Sequence, residues 1–267
     1  MTAPPLITSR DNPLLLRLRR LVQDGAAYRR VGQVWLEGEH LCGALRERGR
    51  PAAQAVVRDD AWPDPAIVEL ASWAAKVVRL PAPLFASIGG LASPARLGFV
   101  LELPPAPDLH ATLPTLVLDR LQDAGNVGSI LRSAAAFGVQ QVLALKGTVA
   151  LWSPKVLRAG MGAHFALRLL EGLDDSALQG LQVPLLATSS HAGNSLTTTA
   201  LPWPCAWVLG HEGQGLNAAL MQRCAMQLHI PQPGGEESLN VAAAAAVCLY
   251  ESARQAAWAA EAAKAAQ

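Results

Sequence analysis

Three short segments of this 267-residue chain hold residue types that could do chemistry. In the first, LDRLQDAGNVGSILRSAAAFG, an apolar run meets the turn Asp123-Ala124-Gly125, and Asn126, Gly128 and Arg132 follow on helix-like spacing. An arginine set among Ile130, Leu131, Ala134 and Phe137 needs an acidic partner or a ligand phosphate if it is buried. A structural ion pair explains it as well as a phosphate does, and Gly125 with Asn126 also reads as a plain turn and helix cap. In the second segment, AWVLGHEGQGL, a strand-like run enters Gly210, His211, Glu212, Gly213, Gln214 and Gly215. Three glycines after a strand let backbone approach a ligand, although a simple connection would use them too. His211-Glu212 is not a zinc-binding H-E-x-x-H pair, because Gly215 stands where the second histidine would be.

The third segment, IPQPGGEESLNV at 230–241, ends a strand in a Pro/Gly loop and places Glu236, Glu237, Ser238 and Asn240 where a helix begins. Capping accounts for Ser238 and for acids beside it. It does not account for the two glycines, nor for the Ala/Val run that follows, whose small side chains admit a backbone or another subunit at close range.

The elements that must position these segments divide at LPPAPDLHATLP, where Pro104, Pro105, Pro107 and Pro114 stop both helix and central strand. Before it, helical patterns at 13–23, 39–48 and 65–74 alternate with strand-like runs at 55–58, 76–80 and 98–103. After it, strand-like runs at 115–121, 141–145, 166–170, 183–188, 206–210 and 227–230 have helical patterns between most of them, as a buried parallel sheet requires. The expected architecture is α/β in both parts: a first domain at 1–103, a Pro-rich linker at 104–114 and a second domain at 115–267. The Ala-rich stretch after Val241 predicts a long C-terminal helix.

Composition sets outer bounds. A chain with 51% hydrophobic and 16% charged residues can bury a sizeable core. Twenty-two basic against 21 acidic residues leave a net charge of +1, so no bulk field points to nucleic acid. The first fifty residues carry nine arginines against five acids, a local excess of +4 that suits either a phosphate-contacting surface or a solvated helix face. Cys42, Cys205, Cys224 and Cys248 lie far apart with no metal-ligand spacing and read as reduced thiols of a cytoplasmic protein; no metal is expected. No stretch offers ~18 consecutive apolar residues, so no membrane span is expected. The first segment lacks G-x-G-x-x-G, which sets a dinucleotide-binding turn aside.

Taken in order, the segments resemble the three signature motifs of the SpoU (TrmH) RNA methyltransferases of the SPOUT superfamily: N-x-G-x-x-x-R, L-G-x-E-G-x-G-L and I-P-x-x-G-x-x-E-S-L-N-V. The match covers roughly the C-terminal 150 residues, and ATSSHAG at 187–193 is similar to the family's first knot loop. Relatives commonly carry Ser where Gly160 stands. SRDNPLLLRLRRL followed by LEGEHL is similar, more loosely, to the ribosomal-protein-like RNA-binding domain that precedes many such enzymes.

The resemblance implies a deep trefoil knot, a homodimer with its pocket at the interface, and S-adenosyl-L-methionine held by Thr188, Leu209, Gly210, Ile230, Leu239 and Ala242. It implies transfer of a methyl group to a ribose 2′-hydroxyl. Arg132 would meet the target's phosphate and hydroxyl, Asn126 and Glu212 would hold that arginine and the loop, and Ser238 and Asn240 would face the ribose. Arg10, Arg17, Arg19 and Arg20 would contact RNA phosphates. Large-subunit (23S) ribosomal RNA is the preferred substrate over tRNA. A SPOUT enzyme acting on a base nitrogen and a non-catalytic RNA-binding protein are the other readings.

Overall fold

Asn12 accepts the amide of Leu14 at 2.9 Å, and Pro13 sits in the first turn, so helix α1 (Pro13–Gln23) starts where a cap and a preset φ coincide. The computed structural model describes residues 3–89, 95–189, 193–234 and 238–265. Beyond α1 the chain forms α2 (Ala27–Val31), β1 (Gln33–Glu37), α3 (Glu39–Glu47), β2 (Gln54–Arg58), α4 (Pro65–Ala71), β3 (Val77–Leu80), α5 (Ala82–Ala86) and β4 (Leu97–Glu102). There follow β5 (Thr115–Leu118), α6 (Ala124–Ala136), β6 (Gln141–Leu145), α7 (Pro154–Gly160), β7 (Arg168–Leu173), β8 (Leu185–Thr188) and β9 (Asn194–Ser195). The last elements are β10 (Ala206–Leu209), α8 (Ala218–Arg223), β11 (Met226–His229) and α9 (Val241–Ala265).

These elements make two compact units: the chain up to Pro105 with Trp152–Phe165, and Ala106–Leu151 with the chain from Ala166 onward. In the first, a sheet of order β1-β4-β2-β3 pairs β4 antiparallel with β1 and β2, and β2 parallel with β3. Leu15 and Leu18 of α1, Leu36, Val56, Leu80 and Phe99 are all buried in its core. The sequence patterns miss α2, β1 and α5. QVWLE follows α2 after a single residue, Gly32, leaving too little punctuation to separate strand from helix. Helix α7 belongs to this unit too, and Gly160 is buried at its end. A Cβ on Gly162, just beyond, would come within 2.6 Å of the Ala44 methyl.

In the second unit seven strands run parallel in the order β7-β6-β5-β10-β8-β11-β9. Every residue of β5, β6 and β10 is buried, as strands covered on both faces must be. Strand β5 ends at Leu118, short of the expected 121, because Arg120 adopts a left-handed φ of 58° that a strand cannot continue. Helix α9 packs against α6, where Phe137 and Tyr250 meet edge to face, and Trp207 of β10 donates its indole N–H to Ser252 of α9 at 2.8 Å. Burial with that partner satisfies the one polar atom of a large core side chain.

Candidate active site at the carboxyl edge of the parallel sheet

Parallel pairing brings the carboxyl ends of β5, β8, β10 and β11 to one edge, the side on which α/β sheets bind ligands. There the second unit carries a cleft of ≈ 320 Å³, within the range of small-molecule sites. Its wall is built from Thr188 at the end of β8 and Ser189 just after it, from Gly210, His211, Glu212, Gly215 and Leu216 after β10, from Ile230 and Gln232 after β11, and from Ser238, Leu239, Asn240, Val241 and Ala244 at the start of α9.

The loop after β10 closes on itself. The Gly215 amide donates to the His211 carbonyl at 2.8 Å, and His211 Nδ1 accepts from the amides of Gly213 and Gln214 at 3.0 and 3.3 Å. Gly210 is required for this closure. A Cβ there would stand 2.5 Å from both the Gly215 carbonyl carbon and the Leu216 nitrogen, and Gly215 itself has φ +64°.

Three side chains join the three segments. Asn240 Nδ2 donates to Asn126 Oδ1 at 3.0 Å, and Asn126 Nδ2 donates to Glu212 Oε1 at 3.4 Å. Each asparagine is anchored by a helix start. Asn240 Oδ1 accepts the amides of Ala242 and Ala243 at 2.9 and 3.3 Å, and Asp123, the N-cap of α6, accepts the Asn126 amide at 2.6 Å. The polarity is consistent: an Asn126 oxygen occupied by Asn240 turns the amide nitrogen toward a carboxylate. Burial raises the Glu212 carboxyl, but backbone N–H groups of Glu212, Asp123 and Gln122 together with the Asn126 amide outweigh it and hold the group below its ordinary value.

Of the expected site residues, Thr188, Gly210, Glu212, Ile230, Ser238, Leu239 and Asn240 line the cleft. Leu209 lies one residue behind with its side chain buried in the core, and Ala242 sits in the first turn of α9 off the lining. Asn126 touches the wall through Glu212 and Asn240. Arg132 departs from the buried arginine considered above: it is exposed, and among the described residues it has neither an ion-pair nor a hydrogen-bond partner. With Gly125, Ser129 and Ala136 it forms the exposed stripe of α6, so Asn126 and Glu212 hold each other and not Arg132. Ser238 is not the helix cap either. Helix α9 begins at Val241, and Asn240 takes the capping bonds. Glu236 and Glu237, and Ser190, His191 and Ala192 of the ATSSHAG segment, lie outside the described residues.

Sequence reasoning passed over Ser189, His211, Gly215, Leu216, Gln232, Val241 and Ala244 as wall residues. Gln232 occupies a variable position of its motif, so only its burial marks it: its Oε1 is buried with no hydrogen-bond partner among the described residues. A buried amide oxygen without a donor is costly, and on a cleft wall it suits a ligand that presents N–H groups. In the first unit, Arg10 and Arg20 are exposed, and Arg17 shares a face of α1 with Arg20. Arg19 is turned aside, donating to the Arg10 carbonyl at 3.1 Å and to Ser87 Oγ at 2.8 Å.

A parallel α/β sheet with a part-polar cleft at its carboxyl edge, walled by a glycine loop and a helix start, defines a small-ligand-binding α/β domain. Residues 114–250 match the model of the SpoU rRNA Methylase family, and the chain belongs to that family of RNA 2′-O-methyltransferases. An uncharacterised tRNA/rRNA methyltransferase of Synechocystis is 35% identical over 93% of each chain. The 23S rRNA (guanosine(2553)-2′-O)-methyltransferase RlmP of Bacillus subtilis is 28% identical over 80% of this chain and 86% of its own. The AdoMet-bound rRNA methyltransferase of Sinorhizobium meliloti, 24% identical, shares the fold with a TM-score of 0.81, covering 93% of this chain and 97% of that one.

Proposed function

We propose that the chain methylates a ribose 2′-hydroxyl in large-subunit ribosomal RNA, using S-adenosyl-L-methionine held in the cleft at the sheet's carboxyl edge. The observation that carries this reading is the union of three distant segments, Asn126, Glu212 and Asn240, at the wall of one cleft. The cofactor fits what the wall offers. Ile230, Leu239 and Val241 supply apolar surface, the Thr188 hydroxyl can hydrogen-bond, and the Gln232 oxygen, without a partner among the described residues, can accept from an amine. When bound, it supplies a methyl group on a sulfonium, with its leaving group built in.

The protein's part is then orientation and charge. Glu212, held ionised, fixes the Asn126 amide and through it the start of α9, so Ser238 and Asn240 face the ribose. The Arg132 guanidinium stays charged and cannot serve as a base. It binds the target phosphate and hydroxyl, and the proton leaves to a phosphate oxygen or water. Arg132 points outward on its own protomer, so a second copy that completes the pocket is part of this proposal. The exposed Val247 and Tyr250 of α9 offer that copy an apolar face. A chain threaded through the loop after β8 belongs to the same reading. The placement of β8 between the two later strands β10 and β11 supports it.

The functional division follows 1–103 for RNA binding, through Arg10, Arg17, Arg20 and the tethered Arg19, a linker at 104–114, and 115–267 for methyl transfer. Nucleoside mass spectrometry of RNA from a deletion strain tests the whole: one 2′-O-methylnucleoside of large-subunit rRNA should vanish. Loss from tRNA instead would move the substrate, loss of a base methyl would move the target atom, and an unchanged RNA pool with no cofactor binding by calorimetry would leave an RNA-binding protein.

A further inference from the structure

We infer that Arg120 is a positioning residue that latches the glycine loop of the cleft to the end of β5. The inference rests on the methyltransferase reading of that cleft. Arg120 is not one of the residues that spell the three signature motifs, yet it holds a left-handed backbone, φ 58°, that a residue with a Cβ adopts at a cost. Such strain persists when surrounding bonds impose it, and here four hydrogen bonds do.

The left-handed turn folds the side chain back on its own neighbour. Arg120 Nε and Nη2 grip the two oxygens of Asp119 at 3.0 Å each, a planar fork on a carboxylate that is only 4% exposed. Asp119 is itself registered on β10, its amide donating to the Leu209 carbonyl at 2.8 Å. The other side of the guanidinium reaches 94 and 95 residues along the chain. Nη1 donates to Gln214 Oε1 at 3.2 Å and Nη2 to the Gly215 carbonyl at 3.3 Å. Gly215 is the residue whose backbone packs against Gly210, so the latch fixes the loop where Gly210, Glu212 and Gly215 meet the cleft. Gly147, φ +89°, gives the side chain its room, since a Cβ there would lie 3.1 Å from Arg120 Cγ. Lysine cannot replace the fork, because a single ammonium cannot span both Asp119 oxygens and the loop carbonyl in one plane.

Three variants separate latch from fold. Arg120→Gly relieves the left-handed strain but removes the latch, Arg120→Lys keeps a cation beside buried Asp119, and Gln214→Ala leaves the Asp119 pair intact. Amide hydrogen exchange over 210–216 should quicken about tenfold in Arg120→Gly, as loss of a net hydrogen bond implies, and less in the other two. S-adenosyl-L-methionine binding by calorimetry should weaken by a similar factor, and the KM for cofactor should rise more than kcat falls. Loop exchange equal to wild type in all three variants, with thermal midpoints near wild type, would overturn the latch. Faster loop exchange in a protein that binds no S-adenosyl-L-methionine even as wild type would keep the latch and overturn the methyltransferase reading instead.

Discussion

Asn240 donates its amide to Asn126 Oδ1 at 3.0 Å across 114 residues of chain, and this bond couples the start of α9 to the start of α6. Asn240 also caps α9, so its amide is held at both ends: the oxygen by the helix, the nitrogen by Asn126. Replacing Asn126 with Ala frees both Asn240 and Glu212. Because the site is partly solvated, the stability loss should be about 1 kcal/mol, while misplacement of two wall residues should cost roughly 10²-fold in methyl transfer. Steady-state kinetics beside a thermal melt checks the split, and parallel losses in both would show that Asn126 is merely structural.

Glu212 should give a signed pH dependence. Its folded carboxyl lies below the ordinary 4.5, so ionisation stabilises the native state at neutral pH, and that stabilisation is lost as pH falls through the folded value. The thermal midpoint of Glu212→Gln should therefore trail wild type most at pH 6–7, and the gap should shrink toward pH ~4 and below. A gap that widens on acidification would contradict the assignment.

Arg132→Ala should leave folding alone. An exposed side chain with no partner among the described residues contributes within about ±0.5 kcal/mol, so the melt and the calorimetric affinity for S-adenosyl-L-methionine should match wild type. Methyl transfer to the true RNA should nevertheless be abolished. Retained turnover would remove Arg132 from the reaction.

Gly210 and Gly234 make a matched pair. Alanine at 210 drives a methyl against backbone atoms at 2.5 Å that no side chain can yield, whereas alanine at 234 meets nothing within 4 Å among the described residues and no positive φ. Gly210→Ala should cost about 1–3 kcal/mol, a fall of several °C in thermal midpoint, together with cofactor binding. Gly234→Ala should melt like wild type. Equal behaviour of the two in differential scanning calorimetry would refute the steric account.

The thiols should resist alkylation. Burial pushes Cys205 and Cys248 up to about 12 and half-buried Cys224 up to about 11. The thiolate is the nucleophile, so iodoacetamide at pH 8 should modify all of them slowly and reach Cys224 first, by mass spectrometry of digests. Rapid labelling of Cys205 or Cys248 ahead of Cys224 would show that the core opens there.

Some of this was legible because the signal is local. The helical pattern at 13–23 is α1 and the apolar run QVLAL is β6, both to the residue, and the Ala-rich stretch from Val241 is α9. Other features are ambiguous in the sequence because two local answers compete. Ser238 and Asn240 are both good caps, and only the path of the chain into α9 selects Asn240. Arg132 sits in an apolar stretch of sequence yet on the exposed stripe of its helix, a distinction that depends on which face α9 covers. Gln232 carries no signal in its residue type; it became visible as a buried oxygen with no donor among the described residues.

The sequence by itself determined the α/β class and the order of three segments, because caps, glycine loops and apolar runs act over a few residues. Tertiary structure alone decided that Glu212, Asn126 and Asn240 form one connected path, that Arg120 reaches Gln214, and that Trp152–Phe165 groups with the first unit. Those partners are separated by 86, 114 and 94 residues along the chain in the bonded cases. Parallel pairing of β5 with β10 and of β10 with β8, and the seating of α9 against α6, set their distances, and no local spacing encodes that register.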